Sequence, residues 1–172
     1  MLDELAPELI HHLYNSLTSI SDVIHLSSTC KRLHNLLPPS QKLQTLFYAA
    51  EQEFGPLHDV TQLLTYNASQ PIHLRRCPQQ SYALLTRIVQ VGRVAKQIEQ
   101  VYQVKRWEED FINRRSLTDG ERVKIRRAVY KYWLYCDAFH NKTWTRSHRM
   151  LPHFVEERAQ LLRTWTTGQC RM

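Results

Sequence analysis

Apolar residues recur along most of this chain at spacings of three and four, the period of an amphipathic α-helix. Alternation of apolar and polar residues between hairpin turns, which indicates half-buried strands, is essentially missing. The pattern therefore predicts an all-α protein. The predicted helices are short in the first 37 residues and longer after residue 80.

Three short helices are predicted at the amino end. Pro7 suits the first helical turn, where its missing N–H would have no partner, and this helix should run to about Tyr14. A second helix should end near Ser27, and a third should stop before Pro38-Pro39. The candidate N-caps are Ser19, Ser21 and Asp22 for the second helix and Ser28 or Thr29 for the third.

Longer helices follow. Ser40 is a candidate cap for a helix that Gly55-Pro56 ends, a short helix is expected within residues 57–66, and residues 67–80 read as a loop. A long apolar stripe predicts one helix from about Gln80 past Val104. Its members are Leu84, Leu85, Ile88, Val91, Ala95, Ile98 and Tyr102.

A capping box opens the next helix, because Thr118 stands three residues before Glu121. Spacing aligns one apolar side of this helix, and we expect Tyr132 and Trp133 to lie in the core. The aligned residues are Ile125, Val129, Tyr132, Cys136 and Phe139. A last amphipathic segment carries Phe154, Val155, Leu161, Leu162 and Trp165.

Composition and length indicate an ordinary globular protein. With 172 residues, 42% of them hydrophobic, the chain can build one core or two small units. Four well-separated cysteines favour free thiols in a reducing compartment. Asp3 and Glu4 stand where a secretory signal would be basic, and no apolar run is long enough for a membrane span. We expect a soluble protein of the cytoplasm or nucleus.

Charge divides the chain unevenly. The formal net charge is +7, but residues 1–37 hold two cations against four acids, which places −2 there and +9 on the remainder. Such asymmetry suggests two functional parts.

Residues 5 to 33 carry a more specific pattern. It runs Leu5-Ala6-Pro7-Glu8-Leu9, Leu13, Leu17, Ser21-Asp22-Val23-Ile24-His25-Leu26-Ser27 and Thr29-Cys30-Lys31-Arg32-Leu33. These segments resemble the F-box, whose pattern begins with Leu-Pro-any-Glu-Leu, continues through Asp-Leu and Leu-Ser, and closes on Val-Cys-Lys/Arg-any-aromatic or leucine. Two positions depart from it: the proline stands one position later, at Pro7, and Thr29 replaces the commonest valine.

The resemblance implies an F-box at residues 2–37, packed on a helical domain at 40–172 that recruits a client protein. Its partners would be a Skp-type adaptor and, through it, the cullin of a ubiquitin ligase. Residues 116–135 are in addition similar to a helix of fungal F-box-type proteins. The resemblance assigns to the adaptor surface Leu5, Pro7, Glu8, Leu9, Ile10, Leu13, Leu17, Asp22, Val23, Leu26, Cys30, Lys31 and Leu33.

The small size of the amino-terminal unit gives an independent reason to expect a partner protein. A unit below about 40 residues seldom folds alone, because ordering each residue costs about 1.5 kcal/mol and little area is buried. A leucine fully removed from water contributes about 1.5–3 kcal/mol, so several leucines on an adaptor would support a complex. The alternative is that Leu5, Leu9, Ile10, Leu13 and Leu17 are ordinary core.

The densest basic run surrounds the capping box. Such a run is commonly a solvated helix face, and the alternative is a docking site for an acidic or phosphorylated segment. The residues proposed for that site are Arg122, Arg126, Arg127 and Lys131.

A different class of protein, a helical nucleic-acid-binding module, is the second hypothesis. The residues that would then read bases are Lys31, Arg32, His34 and Asn35, and the basic remainder would contact phosphates.

Catalysis is the least supported class. No Gly-rich phosphate loop, nucleophile elbow or zinc-binding spacing occurs, so we expect no enzyme, cofactor or metal. A third hypothesis keeps the F-box but places it outside ubiquitination, as a structural partner of the adaptor.

Overall fold

The computed structural model describes residues 5–67, 71–74, 76–108, 112, 114–140 and 147–167. Within these ranges the chain forms eight α-helices, a 3-10 helix at His148–Met150 and no strand, which confirms the all-α prediction. The helices are α1 (Pro7–Ser16), α2 (Ile20–Thr29), α3 (Lys31–Leu36), α4 (Pro39–Phe54), α5 (Leu57–Thr65), α6 (Tyr82–Arg106), α7 (Asp119–Phe139) and α8 (Pro152–Thr167).

None of the helices in the described ranges is both long enough and apolar enough to cross a membrane.

The cap predicted for α3 is wrong. Ser28 and Thr29 still belong to α2, where their hydroxyls donate to the carbonyl of His25 at 2.9 and 3.0 Å. Because α2 runs through Thr29, the N-cap of α3 falls to Cys30, whose side chain makes no cap hydrogen bond.

The cap predicted for α4 is also wrong. The helix begins at Pro39, so Ser40 lies inside its first turn and Pro38 takes the N-cap position. Proline is favoured at the first helical position because an N–H there would have no intrahelical acceptor. The predicted end is confirmed: the Gly55 N–H donates to the Glu51 carbonyl at 2.9 Å as the helix stops.

One hydrophobic core joins the three short helices to the longer ones. Tyr14 from α1, Val23 from α2 and Leu33 from α3 are completely buried in it, together with residues of α4 to α7. The short helices therefore do not stand apart from the rest of the chain. The buried members of this core are Ile10, Tyr14, Ile20, Val23, Leu33, Leu37, Leu46, Phe47, Ala49, Ala50, Phe54, Val60, Leu85, Ile88, Ala95 and Tyr130.

A smaller core lies between the later helices. It joins α5, the turn at Ile72, the carboxyl half of α7 and α8. Its buried members are Leu63, Ile72, Leu134, Ala138, Phe139 and Leu161, with Phe154 and Trp165 partly buried against them.

The inward face predicted for α7 is rotated from the observed one. Its buried positions are Arg126, Tyr130, Leu134, Ala138 and Phe139. Phe139 is thus confirmed as buried, whereas Tyr132, predicted to be core, is 70% exposed. Trp133, also predicted to be core, is 38% exposed. Apolar spacing misled here because α7 packs through polar side chains whose hydrogen bonds are satisfied inside the protein.

Candidate functional site

Helix α1 divides into a buried and an exposed side. Ile10 and Tyr14 are completely buried, and the Tyr14 hydroxyl donates to the carbonyl of Leu33 at 3.2 Å, which ties α1 to α3. Burial raises the pKa of Tyr14 above its ordinary value. Leu9, one position before Ile10, is 54% exposed. The helix is thus fixed from inside while a large apolar side chain remains in solvent.

Two polar contacts hold the short helices in place. Arg32 of α3 donates to the Leu5 carbonyl at 2.8 Å, just before α1. Glu53 of α4 accepts the N–H of Ile20 at 3.0 Å and pairs with Lys96 of α6 at 3.1 Å. The Ile20 N–H has no partner within α2, so this carboxylate satisfies it and lies at the positive end of the helix.

The structure distributes the residues assigned to an adaptor surface over three environments. Ile10, Val23 and Leu33 are fully buried and belong to the core. The half-buried ones are Leu5, Leu13, Leu17, Leu26 and Cys30, and the exposed ones are Pro7, Glu8, Leu9, Asp22 and Lys31. Core packing and adaptor binding are therefore not mutually exclusive for these residues, since α1 supplies the core with one side and leaves the other side open.

A shallow cleft runs beside the exposed side of α1. It has a volume of about 390 Å³ and is lined by Pro7, Glu8, His11, His12 and Asn15. His11 and Asn15 also line a second cleft of about 540 Å³ that reaches α4 at Gln44 and Tyr48.

Sequence reasoning missed Ile24, a second exposed apolar residue of this region. Ile24 is 48% exposed, because Ile20, Val23 and Ser27 mark the inward side of α2. The spacing of three and four residues between Ile20, Val23 and Ser27 was the sequence signal that could have placed Ile24 on the exposed side. Ile24 therefore adds an exposed apolar residue to the predicted set, which already included Leu9.

The arginines of α7 form ion pairs with acids of α5 and α6, and Arg126 is buried. Arg126 pairs with Glu99 of α6 at 3.3 Å and donates to the Glu53 carbonyl, and Arg122 pairs with Glu99 at 3.1 Å. Arg127 pairs with the buried Asp59 of α5 at 3.1 Å.

The fourth basic residue proposed for this site contacts α8. Lys131 lies over the ring of Trp165, with its ammonium 5.5 Å from the ring centroid. The set proposed to bind an acidic partner is thus largely engaged within the protein, and its role in partner binding stays a prediction.

The contacts of Glu53 and Tyr130, which join α4 to α2, α6 and α7, could not be predicted from the sequence. The Tyr130 hydroxyl donates to the Phe54 carbonyl at 2.7 Å, so α7 satisfies the end of α4, and burial raises the pKa of Tyr130. No motif marks such pairs, because partners so distant in sequence meet only in the folded chain.

No three His, Cys, Asp or Glu side chains within the described ranges come together as metal ligands would. Comparison of the chain with known protein families, with curated proteins and with solved structures finds no match. The F-box resemblance therefore depends on the sequence patterns at residues 5 to 33 and 116 to 135 alone.

Proposed function

We propose that this chain is a non-catalytic F-box-type receptor, in which the short helices at residues 2–37 bind a Skp-type adaptor and residues 40–172 recruit a client protein. The observation that supports it most is the position of Leu9. Leu9 and, one turn further on, the half-buried Leu13 lie on a helix whose other side is locked into the core. Apolar residues aligned on one helix that keep part of their surface in solvent are the expected state of an interface when its partner is absent.

The exposed residues of the helix that carries Leu9, and of the other two short helices, have the composition of a small interface. Pro7 and Glu8 lie on the same helix, and Ile24, Asp22 and Lys31 are exposed on the neighbouring short helices. Apolar anchors with a polar rim are typical of protein interfaces. The half-buried leucines of this region would lose their remaining exposure when the adaptor binds.

Packing of the short helices on α4 supports a proximity mechanism. The shared core and the Glu53 contacts fix the short helices to the helices that would hold the client. A rigid link of this kind raises the effective concentration of the client near a ubiquitin-charged enzyme. Such a receptor would act in the cytoplasm or nucleus and would need no cofactor.

The nucleic-acid hypothesis receives less support. α3 has only six residues, and one of its two cations, Arg32, donates to the Leu5 carbonyl. Arg122, Arg126 and Arg127 are paired with Glu99 and Asp59. Phosphate contacts by these side chains would require existing ion pairs to break.

Co-expression with a Skp-type adaptor tests this proposal. We expect a complex that survives size-exclusion chromatography in moderate salt, and ubiquitin transfer to a bound client once a cullin is added. A stable adaptor complex without any transfer activity would favour the structural-partner hypothesis. Salt-dependent binding of duplex DNA without adaptor binding would favour the nucleic-acid module.

A further inference from the structure

Helix α6 carries an apolar face that stays partly exposed in the part of the chain that the structure describes. Its first half packs into the core through Leu85 and Ile88. Further along, Val94, Ile98 and Val101 are 38%, 43% and 56% exposed. Scattered single apolar residues need no explanation, but several aligned on one helix mark an interaction site.

The spacing on this face is that of a helix-pairing seam. Steps of four and three residues alternate along it. The residues at these positions are Arg87, Val91, Val94, Ile98, Val101 and Lys105. Apolar residues repeating in this way present a stripe that a second helix can pack against. The stripe from Arg87 to Lys105 extends for about 27 Å at 1.5 Å per residue.

Charge identifies the kind of helix that fits. The only acid in α6, Glu99, is buried against Arg122 and Arg126, so the exposed side of α6 carries no negative charge. Arg87 and Lys105, at the two ends of the stripe, are exposed and form no ion pair with any acid in the described ranges.

Described acids lie near both ends of the stripe. Just beyond α6, the Glu108 N–H donates to the Lys105 carbonyl at 3.2 Å, and the exposed Glu108 side chain forms no ion pair with Lys105. Asp137 of α7 lines the same cleft as Arg87, Val91 and Trp133, without pairing with Arg87. The cleft has a volume of about 270 Å³ and forms a depression beside the apolar stripe where α6 meets α7.

A second copy of the chain fits this face poorly. Antiparallel pairing that sets Val94 against Ile98 of the other copy also sets Arg87 against its Lys105. Parallel pairing in register sets each cation against itself. Like charges brought together in this way oppose association.

We infer that α6 is the docking face for an acidic amphipathic helix of a partner protein. Apolar residues of that helix would cover Val94, Ile98 and Val101, and its carboxylates would pair with Arg87 and Lys105. This site is separate from Leu9 and does not depend on adaptor binding. If the chain is a receptor, the face would hold the client.

The test uses two synthetic fluorescent helices and the full chain. One helix has leucines at alternating steps of three and four with glutamates beside them, and the other replaces each glutamate by lysine. We expect fluorescence anisotropy to show at least about tenfold tighter binding of the acidic helix, corresponding to about 1.4 kcal/mol.

Two double variants and a control locate the site. Val94→Gln with Ile98→Gln should weaken binding of the acidic helix at least about tenfold. Arg87→Glu with Lys105→Glu should reverse the preference toward the lysine helix. Gln100→Ala, at an exposed position of α6 outside the stripe, should leave binding unchanged. All variants should retain the wild-type circular dichroism and melting temperature.

Four results would overturn the inference. They are no binding of either helix at millimolar concentration, equal binding of both, binding insensitive to the Val94 and Ile98 changes, and concentration-dependent dimerisation through the stripe. Binding to phosphatidylserine vesicles that the acidic helix does not compete for would assign the face to a membrane surface instead. Adaptor binding, measured on the same variants, should remain unaffected, so failure here is distinguishable from failure of the receptor proposal.

Discussion

The contact between Gly92 and Phe54 shows how a single residue fixes the packing of two helices. A Cβ added at Gly92 would lie 2.5 Å from the ring of Phe54, which is almost completely buried. α4 and α6 therefore approach closely because α6 has no side chain at this point. Helix spacing predicted both helices, but no sequence pattern indicated that this glycine would face Phe54.

Alanine substitutions at two helical glycines should affect the free energy of unfolding differently. Gly92→Ala should lower the free energy of unfolding by about 1–3 kcal/mol, because the Phe54 ring cannot move without disturbing the core. Gly120→Ala, where an added Cβ meets nothing within 4 Å, should be neutral or stabilising by up to about 1 kcal/mol. Urea unfolding measures both changes. Two changes of the same sign and size would contradict the contact.

At the scale of the element, the start of α7 was predicted well because capping is local. The Thr118 hydroxyl accepts the Glu121 N–H at 3.4 Å, and the Glu121 carboxylate accepts the Thr118 N–H at 2.9 Å, so the capping box is confirmed. Arg115 adds two hydrogen bonds of 2.7 Å to the same carboxylate. The interaction with Arg115, followed by that with the Thr118 backbone, lowers the pKa of Glu121.

The low pKa of Glu121 predicts a pH dependence. A carboxyl whose pKa is lower in the folded chain stabilises it above the ordinary value of 4.5, and this contribution is lost as pH falls toward the folded pKa. Glu121→Gln should therefore reduce the free energy of unfolding at pH 7, and the difference from wild type should shrink steadily below about pH 4. Urea titrations across this range test it. A difference that stays constant with pH would show that the carboxylate charge contributes nothing.

The inward face of α7 was not predictable from periodicity. Arg126 and Tyr130 occupy it because Glu99 and the carbonyls at the end of α4 satisfy them. A sequence pattern ranks arginine as a surface residue, and only the fold brings its acceptors within reach. For the same reason the basic run on α7 suggested an exposed face, whereas Arg126 and its acid partner are buried.

Breaking this buried pair should be costly. Arg126→Met leaves Glu99 with Arg122 as its remaining ion-pair partner among the described residues, so the buried charge stays partly compensated. We expect a loss of about 1.5–3 kcal/mol in the free energy of unfolding. Adding Glu99→Gln should recover part of that loss, because the buried charge is then removed. Lys124→Met, at an exposed position of the same helix, serves as the control. A double variant no more stable than Arg126→Met alone would contradict the account.

At the scale of the molecule, the first 37 residues depend on the rest of the chain. Ile10, Val23 and Leu33 are completely buried in a core shared with α4 to α7. An isolated peptide of residues 1–37 should therefore show the circular dichroism of an unfolded chain, because too little apolar area remains to offset the ordering entropy. A helical, cooperatively melting peptide would show that these helices form an autonomous unit.

The sequence predicted the order of the helices but only part of the candidate surface. It placed Leu9 and Ile10 in one set, whereas the fold exposes the first and buries the second. Neighbouring positions on a helix point about 100° apart, so the direction of packing decides which one remains free. Nothing local to residues 5 to 17 states where α3 and α4 will lie.

The affinity of the purified chain for a Skp-type adaptor, measured by isothermal titration calorimetry, tests the central claim most directly. Three proteins are compared: wild type, Leu9→Asp, and Val104→Asp as a matched change at an exposed apolar residue on α6. We expect wild type and Val104→Asp to bind equally, and Leu9→Asp to bind at least about 100-fold more weakly with an unchanged helical spectrum. No binding by wild type, or full affinity of Leu9→Asp, would contradict it.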